Sequence, residues 1–360
     1  MQNTTSHTSE EHLKELSEQI KLWANEFGFQ QCGICEADPK EHAKHYSKWL
    51  EKNYHGSMSY MLERKSLRLN PKELLPNSMR VISVRMDYRK RDKELVNVLA
   101  NKDKAYIAEY ALGRDYHKLM RKRLADLGKK IESSIALKSA ECTLRPFVDS
   151  APVLERAYAE QAGLGWIGKN TMLINSKAGS WFFLGEILTD IPLITDEAST
   201  EKHCGSCSAC LSACPTNAFA SNHQLDARKC ISYLTIESSQ SIPIELREAM
   251  GNRVFGCDDC QIVCPWNKFS EPSQENDFTP RHKLDSSSLK ELFSWSEAAF
   301  DKNTQGSPIR RIGYERWLRN LAIGLGNSSG GTEVVKALES KRDYSPMVRE
   351  HVDWALKQLE

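Results

Sequence analysis

The chain has 360 residues, of which 40% are hydrophobic and 27% charged, and its formal net charge is +1. This length suffices for two or three domains. The near-zero charge excludes a globally basic nucleic-acid-binding protein, but not one with a local basic patch. No run approaches the roughly 18 consecutive apolar residues of a membrane span, and the N-terminal MQNTTSHTSEEH has no apolar core of a secretory signal. We therefore expect a cytoplasmic protein with no membrane segment.

The first half of the chain alternates between helical and strand patterns. Apolar residues recur at helical spacing from Glu10 to Phe27, and Gly28 ends this predicted helix. Further helices are predicted for HAKHYSKWLEKNY, SMSYMLERK, DYHKLMRKRLADLGKKIESSIA and VLERAYAEQA, and strands for FQQCGICEA, RVISVRMDY, LRPFVDS, TMLINS and SWFFLGEILTD. This mixture predicts an α/β or α+β layered domain over residues 10–195.

The second half changes character twice. The polar segment DEASTEKH introduces a cysteine-rich region over 196–270, and the polar segment SEPSQENDFTPRHKLDSSS follows it. The remaining tail is helical in pattern, because YERWLRNLAIGLGN and SPMVREHVDWALKQL carry apolar residues at helical spacing. We therefore predict a third region, 271–360, that contains a pair of packed helices.

Eleven cysteines are present, and eight of them fall between 204 and 264. A disulfide scaffold is typical of short secreted chains, whereas clustered thiols in a long chain favour metal ligation in a reducing compartment. The stretch HCGSCSACLSACP contains the complete C-x2-C-x2-C-x3-C-P pattern of an iron–sulfur ligand run. Its thiols are Cys204, Cys207, Cys210 and Cys214.

A second stretch, GCDDCQIVCPWN, has only three thiols, in the spacing C-x2-C-x3-C-P. In two-cluster proteins the first three cysteines of a run bind one cluster and the fourth binds the other. Cluster one would then be held by Cys204, Cys207, Cys210 and Cys264. Cluster two would be held by Cys214, Cys257 and Cys260 and by Cys230, the one cysteine left in this region. The alternative is a zinc site or a set of unrelated thiols.

The motif CGIC, with Cys32 and Cys35, has the C-x-x-C spacing of thiol redox sites. It lies within an apolar, strand-like stretch and not at a helix N-terminus. We therefore interpret both cysteines as buried core thiols, and we assign no role to Cys142.

The stretch GLGWIG (Gly163, Gly165, Gly168) matches the G-x-G-x-x-G pattern of dinucleotide-binding sites. That reading requires a strand before the glycines and a helix after them, and here the predicted order is reversed. The glycines instead allow close approach of the backbone to a flat group, or turn the chain. Lys169 and Asn170 follow at the entrance of the next strand, where they could contact a ligand.

Asp149 stands at the end of a predicted strand, just before a helix that we expect to begin near Pro152. One interpretation is that Asp149 caps this helix. The other is that Ser150 forms the cap and leaves Asp149 free to act as a catalytic acid. The residues alone leave both interpretations open.

Several of these segments resemble the epoxyqueuosine reductase family. The matching segments are GSMSYM, EYALGRDYHKLM, DSAPVLERAYAEQAGLGWIGKNT, GSWFFLGEILTD, CGSCSACLSACPTNAF, CISYLTIE, GCDDCQIVCPWN and RRIGYERWLRN, in the order of the family over roughly residues 20–320. The resemblance implies an enzyme that reduces the epoxide of epoxyqueuosine, in the anticodon wobble position of tRNA, to the alkene of queuosine. It also implies base-off cobalamin and two [4Fe–4S] clusters as cofactors.

The family's architecture implies an α+β protein with three parts. These are a cobalamin-binding domain related to flavin nitroreductases (10–195), a ferredoxin-like two-cluster domain (196–270), and a linker with a HEAT-like helical tail that binds tRNA (271–360). The family's proton donor is the acid of VDSAP, which is Asp149 here. Donation near neutral pH requires a raised pKa, which we expect from burial beneath the corrin.

The resemblance also suggests which residues lie near the cofactor or the substrate. These are Tyr110, Arg114, Asp115, Tyr116 and His117, with Lys169, Asn170 and Ser232 as further candidates. Ser232 follows Cys230 and is expected close to both cluster two and the cofactor. The alternative for Tyr116 and His117 is packing at the start of a helix.

For tRNA, basic residues of the tail are the expected phosphate contacts, because such contacts make binding salt-dependent. They are Arg310, Arg311, Arg316 and Arg319, with Lys302 nearby, and the long helix adds Lys118, Arg121, Lys122 and Arg123. The alternative for each patch is a solvated helix face. We expect a monomer that receives electrons from an unidentified donor.

Two other functions compete with this one. A reductive dehalogenase-like enzyme would use the same cofactors on a small molecule, but it would need no basic helical tail. A non-catalytic electron-transfer protein would explain the clusters, but not the domain that precedes them.

Overall fold

The computed structural model describes residues 4–90, 94–136, 142–198 and 202–360. Its α-helices are α1 (Thr4–Glu26), α2 (Glu41–Glu51), α3 (Ser59–Glu63), α4 (Lys65–Leu69), α5 (Glu94–Ala100), α6 (Tyr116–Ala136), α7 (Glu155–Gln161), α8 (Ala209–Ser212), α9 (Ile231–Ile236), α10 (Ile244–Met250), α11 (Asp259–Ile262), α12 (Leu289–Phe293), α13 (Glu297–Asn303), α14 (Gly313–Gly326), α15 (Thr332–Lys341) and α16 (Pro346–Leu359). Short 3-10 helices span Pro71–Glu73, Glu109–Ala111, Ala227–Lys229, Pro265–Phe269, Asn276–Phe278 and Pro308–Ile312.

The strands are β1 (Gln31–Glu36), β2 (Arg80–Asp87), β3 (Tyr106–Ile107), β4 (Leu144–Phe147), β5 (Trp166–Ile167), β6 (Leu173–Ile174), β7 (Phe182–Thr189), β8 (Phe219–Ser221), β9 (Gln224–Leu225) and β10 (Arg253–Phe255). Each helix and strand predicted within residues 10–195 is present, although the one in TMLINS is only two residues long. The prediction of mixed helix and sheet is confirmed. Part of the predicted linker DEASTEKH lies outside the described residues.

The central sheet has the strand order β1-β2-β7-β4, and every neighbouring pair is antiparallel. Successive side chains of a strand point to opposite faces, so the sheet supports two cores. One face, with Ile34, Ile82 and Ile187, packs against α1 and α6. The other face, with Val81 and Leu188, packs against α7.

This alternation explains the CGIC motif. Cys32 packs with the α1 and α6 core, whereas Cys35 packs with the α7 core. The two thiols therefore lie on opposite faces of β1 and do not form a redox pair. Burial raises the pKa of Cys32 to about 12, which agrees with the prediction of unreactive core thiols.

The cysteine-rich region and the tail share one core. Strand β10 pairs in parallel with β3, and Phe255 of β10 packs with Trp317 and Leu321 of α14. Helix α16 adds Val352 to the same core. The two predicted tail helices are thus α14 and α16, and their packing is continuous with the strand just before Cys257.

The GLGWIG glycines follow α7 and precede β6, and this order excludes a dinucleotide-binding site, as predicted. Gly165 has φ +157, and a Cβ there would lie 2.1 Å from the carbonyl oxygen of Ile174.

The expected helix start near Pro152 is wrong. Helix α7 begins at Glu155 without a side-chain cap, so neither Asp149 nor Ser150 is needed as a capping residue.

Within the described ranges, which leave out 1–3, 91–93, 137–141 and 199–201, we find no helix with the length and apolarity to cross a membrane.

Candidate functional site

Asp149 lies where the end of β4 meets the start of α6. The hydroxyl group of Tyr116 donates a hydrogen bond of 2.5 Å to Asp149 Oδ2. The Nε2 atom of His117 lies 3.1 Å from the same oxygen. Tyr116 and His117 are the first residues of α6, so the positive end of the helix dipole also faces this carboxylate. The Asp149 side chain remains 48% exposed, and it is accessible to a ligand.

A second carboxylate orients His117 from its other side. Asp115 Oδ1 lies 2.6 Å from Nδ1 of His117 and also accepts the backbone N–H of that residue at 3.0 Å. Burial by itself lowers the pKa of His117, but the hydrogen bonds and charges of Asp115 and Asp149 raise it to about 9. His117 is therefore an imidazolium ion at neutral pH, and it donates to both carboxylates.

The pKa of Asp149 is lowered in this arrangement. Burial raises it, but hydrogen bonds from His117 and Tyr116, and the charge of His117, outweigh burial and lower the pKa below its ordinary value. Asp149 is then ionised at neutral pH, and the nearby proton is on His117. The raised pKa that we expect from burial beneath the corrin concerns the loaded protein and stays a prediction.

Aromatic side chains fix the Tyr116 hydroxyl in place. The Tyr116 ring stacks on Phe183 of β7, with centroids 3.8 Å apart, and Tyr110 contacts both rings edge-on. Four residues that were predicted to lie near the cofactor or the substrate are thus grouped around Asp149: Tyr110, Asp115, Tyr116 and His117. Arg114 is 62% exposed and lies 3.4 Å from Asp277, at the edge of this group.

Two further residues near Asp149, Tyr60 and Glu237, were left unassigned by sequence reasoning, and we call the space beside Asp149 and these residues the Asp149 cleft. Tyr60 and Tyr110 both lie within electrostatic range of Asp149, Arg311 and Glu237. Arg311 forms an ion pair of 2.7 Å with Glu237. Tyr60 and Glu237 occur in the segments GSMSYM and CISYLTIE, which carry the family resemblance. That resemblance was the signal from which both residues could have been identified.

The loop before Tyr60 is fastened to the cysteine-rich region. The backbone N–H of Ser57 donates to the hydroxyl of Tyr233 at 2.7 Å. Gly56 has φ +58, and a Cβ at that position would lie 2.5 Å from the same hydroxyl oxygen. Only glycine fits this approach, which joins the first domain to α9 beside the cleft.

The thiols assigned to cluster one line a single cavity. They are Cys204, Cys207, Cys210 and Cys264, and Lys169 and Asn170 line the same cavity. Burial and the neighbouring thiols Cys264, Cys204 and Cys207 raise the pKa of Cys210. These four thiols therefore face one another across a space that fits a cluster.

The thiols assigned to cluster two also face one another. Burial, then the charge of Cys214, raises the pKa of Cys230. Burial, then Cys230 and Cys214 among other neighbours, places the pKa of Cys260 well above its ordinary value. Cys230 also adds to the raised pKa of Cys257. A cluster would relieve this repulsion by binding the four thiolates.

Lys169, Asn170 and Ser232 contact the cysteine loops. Lys169 Nζ donates to the carbonyl groups of Gly205 and Cys207 at 2.7 and 2.8 Å, and Asn170 Nδ2 donates to that of Cys260 at 3.2 Å. The backbone N–H of Ser232 is directed at the thiol of Cys230. Such donors orient ligands and stabilise thiolates.

One predicted tRNA contact is wrong. Arg319 is 0% exposed, and its guanidinium uses all of its donors on Asn320 Oδ1 and on the carbonyl groups of Leu234, Ser238 and Gln240. Arg316 is half-buried, and its three nitrogen atoms donate to the carbonyl groups of Ile312, Ile236 and Arg311. Because an arginine has five N–H donors, Arg316 retains donors, and its contact with tRNA stays a prediction.

The other basic candidates differ in exposure. Arg310 and Arg311 are exposed, and Arg310 lies 3.6 Å from Asp301. On α6, Arg121 is exposed and donates to Ser150 Oγ at 2.9 Å, next to Asp149, whereas Arg123 is paired with Glu275.

Comparisons with known proteins agree with this arrangement. A family model described as a 4Fe-4S double cluster binding domain matches residues 203–267, which contain all eight assigned cysteines. A model described as Epoxyqueuosine reductase QueG, DUF1730, matches residues 68–150, which end just after Asp149.

Relatives match nearly the whole chain. The epoxyqueuosine reductase of Pseudomonas aeruginosa is 57% identical over 343 residues, which are 95% of this chain and 94% of that protein. The one of Escherichia coli is 50% identical and covers 96% of this chain and 90% of that protein. A crystal structure of epoxyqueuosine reductase with an epoxyqueuosine-modified tRNA-Tyr stem loop superposes with a TM-score of 0.84 and 29% identity, covering 96% of this chain and 90% of that chain. The protein is thus a member of the epoxyqueuosine reductase family.

Proposed function

We propose that this protein is an epoxyqueuosine reductase, which removes the epoxide oxygen of epoxyqueuosine in a tRNA anticodon and leaves the alkene of queuosine. The observation that carries the proposal is the Asp149 carboxylate, held by Tyr116 and His117 in an open cleft. The reaction consumes two electrons and two protons and releases the oxygen as water. A function in this family therefore needs both an electron path and a proton source.

We propose that the cysteines hold two [4Fe–4S] clusters that relay single electrons. Cluster one is assigned to Cys204, Cys207, Cys210 and Cys264, and cluster two to Cys214, Cys230, Cys257 and Cys260. The shared cavity of the first set and the mutual repulsion within the second support this division. Lys169, Asn170 and the backbone of Ser232 would then hold the cluster loops rather than contact a corrin.

We propose that the cleft beside Asp149 holds base-off cobalamin. Tyr60 and Tyr110 offer aromatic faces and hydroxyl groups, and Arg311 offers a cation nearby. Such groups suit a flat macrocycle whose rim carries amides. When bound, cobalamin supplies a reduced cobalt centre that can deliver electrons to carbon.

The chain's own residues supply the proton. At neutral pH His117 is protonated and Asp149 is ionised. The pair therefore holds one proton, next to Asp149 Oδ2, which Tyr116 also contacts. We propose that Asp149 faces the epoxide and relays the His117 proton to the leaving oxygen, and that solvent then returns a proton to His117, which supplies the second transfer that releases water. Asp115 keeps the His117 ring oriented throughout.

We propose that exposed cations around the cleft contact the tRNA backbone. Arg310 and Arg311 are exposed on the tail, and half-buried Arg281 lies beside the loop of Gly306. The carbonyl group of Gly306 accepts the backbone N–H of Asp115 at 2.8 Å. The proposed phosphate contacts would therefore lie next to Asp115, which orients His117.

Anaerobic reconstitution tests the proposed function. The protein would be loaded with iron, sulfide and cobalamin, reduced, and incubated with tRNA that carries epoxyqueuosine. Nucleoside analysis should show conversion to queuosine, and omission of cobalamin should prevent it. Unchanged epoxyqueuosine in the complete reaction would refute the proposal.

A further inference from the structure

Two glutamates, Glu155 and Glu186, lie near Asp149, and the reaction as described above does not use them. Glu155 is the first residue of α7. Glu186 belongs to β7, in an otherwise apolar strand, and is 0% exposed. A carboxyl group in such a place is costly unless it is protonated or well paired.

Glu155 contacts the backbone of Asp149 directly. The N–H of Asp149 donates to Glu155 Oε1 at 2.5 Å. Asp149 has φ 40, which is the left-handed region that residues other than glycine adopt at a cost. A strained backbone of this kind persists only where its surroundings hold it, and the bond to Glu155 is a specific contact that does so.

Glu186 in turn contacts Glu155. The two carboxyl groups lie within hydrogen-bonding distance of each other. Ionised carboxylates only accept hydrogen bonds, so this contact requires a proton on one of them. Ser83 Oγ donates to Glu186 Oε1 at 3.3 Å. Among the described residues, the buried Glu186 Oε2 has no conventional hydrogen-bond partner, so a proton on this carboxyl group would reduce the cost of its burial.

We propose that Glu155 and Glu186 share a proton and together act as positioning residues, which hold the Asp149 backbone so that its carboxylate meets Tyr116 and His117. This inference rests on the proposed function, because Asp149 matters only if it serves the reaction. The pair itself touches neither substrate nor cofactor.

The surroundings favour the protonated pair. Glu155 faces Asp149, Arg156 and Tyr116, and Glu186 faces Ser83, Asp149, Cys35 and Tyr158. Burial, and then the charge of the other glutamate or of Asp149, raises the pKa of both groups. A group with a raised pKa in the folded state keeps its proton at low pH and releases it as the pH rises. Above neutrality the two carboxylates would repel, and the bond to Asp149 would be lost.

Hydrogen–deuterium exchange of the peptide that contains residues 147–151 tests this directly and does not depend on cofactors. In the wild type, protection of the Asp149 amide, corrected for intrinsic exchange, should decline as the pH rises above neutral. Glu186→Gln should remove this decline, because its amide donates to Glu155 at every pH. Glu155→Ala should lose protection throughout, whereas Glu155→Gln, which keeps an acceptor oxygen, should retain it.

Turnover provides the second readout. Glu155→Ala should lower kcat ~100-fold with an unchanged KM for tRNA, as expected for a misplaced catalytic group, and Glu155→Gln should restore most of it. Glu51→Ala, at an exposed end of α2, is the control for removal of a carboxylate. An inactive wild type would refute the proposed function alone. An active wild type with normal exchange and turnover in Glu155→Ala would refute the positioning role.

Discussion

The two parts of the catalytic machinery are built in different ways. The cluster ligands come from one stretch of chain, residues 204–264, in which a fixed spacing assigns most thiols to their partners. The Asp149 cleft is assembled from residues far apart in sequence, such as Tyr60, Tyr116, Glu237 and Arg311. Local spacing thus encodes the proposed electron path, whereas tertiary packing brings together the proposed proton site. The following experiments test this contrast, from the largest expected effect to the smallest.

Removal of Cys230 should have the largest effect, because this ligand lies outside both spacing motifs. We expect Cys230→Ala to lose cluster two, retain cluster one and abolish turnover. The iron content should fall from about eight to about four atoms per chain, measured after anaerobic reconstitution. Cys142→Ala is the matched control and should keep the full iron content. A Cys230→Ala protein with unchanged iron would show that the motifs alone supply all ligands.

Asp149→Asn should separate the proton site from the electron path. The amide keeps the shape of the side chain but cannot relay a proton, so kcat should fall by ~10²–10⁴-fold. Iron content, cobalamin binding and tRNA binding should remain as in the wild type, as followed by absorbance and filter binding. Turnover within a few-fold of wild type would place the proton source elsewhere.

Arg319→Ala tests whether the tail is part of the cluster region. Its loss leaves buried carbonyl groups of α9 without donors, so we expect the free energy of unfolding to fall by ~2–4 kcal/mol. Urea unfolding of the reconstituted protein measures this change. Arg310→Ala, at an exposed site of the same tail, should leave stability unaltered. Equal stability of both variants would contradict a structural role for Arg319.

The pH dependence of turnover should report His117. Its pKa is raised to about 9 by Asp115 and Asp149, so the protonated form is present below that pH and is lost above it. In a Glu186→Gln background, where the proposed glutamate pair contributes no pH step, kcat should decline as the pH rises through about 9. Adding His117→Gln should slow turnover and remove this step. A Glu186→Gln profile that stays flat in this range would exclude His117 as the proton store.

The smallest effect is expected for a single phosphate contact. Arg310→Ala should weaken tRNA binding several-fold and lower the slope of log affinity against log salt by about 1. Filter binding across a salt series measures both quantities. Lys336→Ala on α15, where the lysine pairs with Glu333, should change neither. An unaltered slope for Arg310→Ala would make Arg310 an ordinary surface residue.

Much of the fold was predictable because local patterns determine it. The segments RVISVRMDY and SWFFLGEILTD were correctly predicted as the strands β2 and β7, and helical periodicity predicted α1, α14 and α16. The misassigned start of α7 has a local cause: the positive φ of Asp149 and its bond to Glu155 delay the helix beyond Pro152. Patterns of residue type contain no such information.

The features of the site that sequence reasoning missed have a common physical origin. The pattern of charge in RRIGYERWLRN does not distinguish an arginine that reaches phosphate from one that caps carbonyl groups, and Arg319 does the latter. Likewise, the pKa of Asp149 depends on His117, which approaches only when β4 and α6 pack together. Glu155 and Glu186 were missed because their contact links a helix with a strand far along the chain.

The place of Arg319 in the chain bears on how the protein is made. All four thiols of cluster two leave the ribosome before Arg319 does, and until then water must satisfy the carbonyl groups at the end of α9. Cys230, which directly precedes α9, is therefore synthesised before Arg319 can bind the end of that helix. If these thiols bind cluster two as proposed, we expect stable loading of the cluster to require synthesis of the tail, because a chain that stalls before Arg319 presents the ligands without the contacts that hold the end of α9.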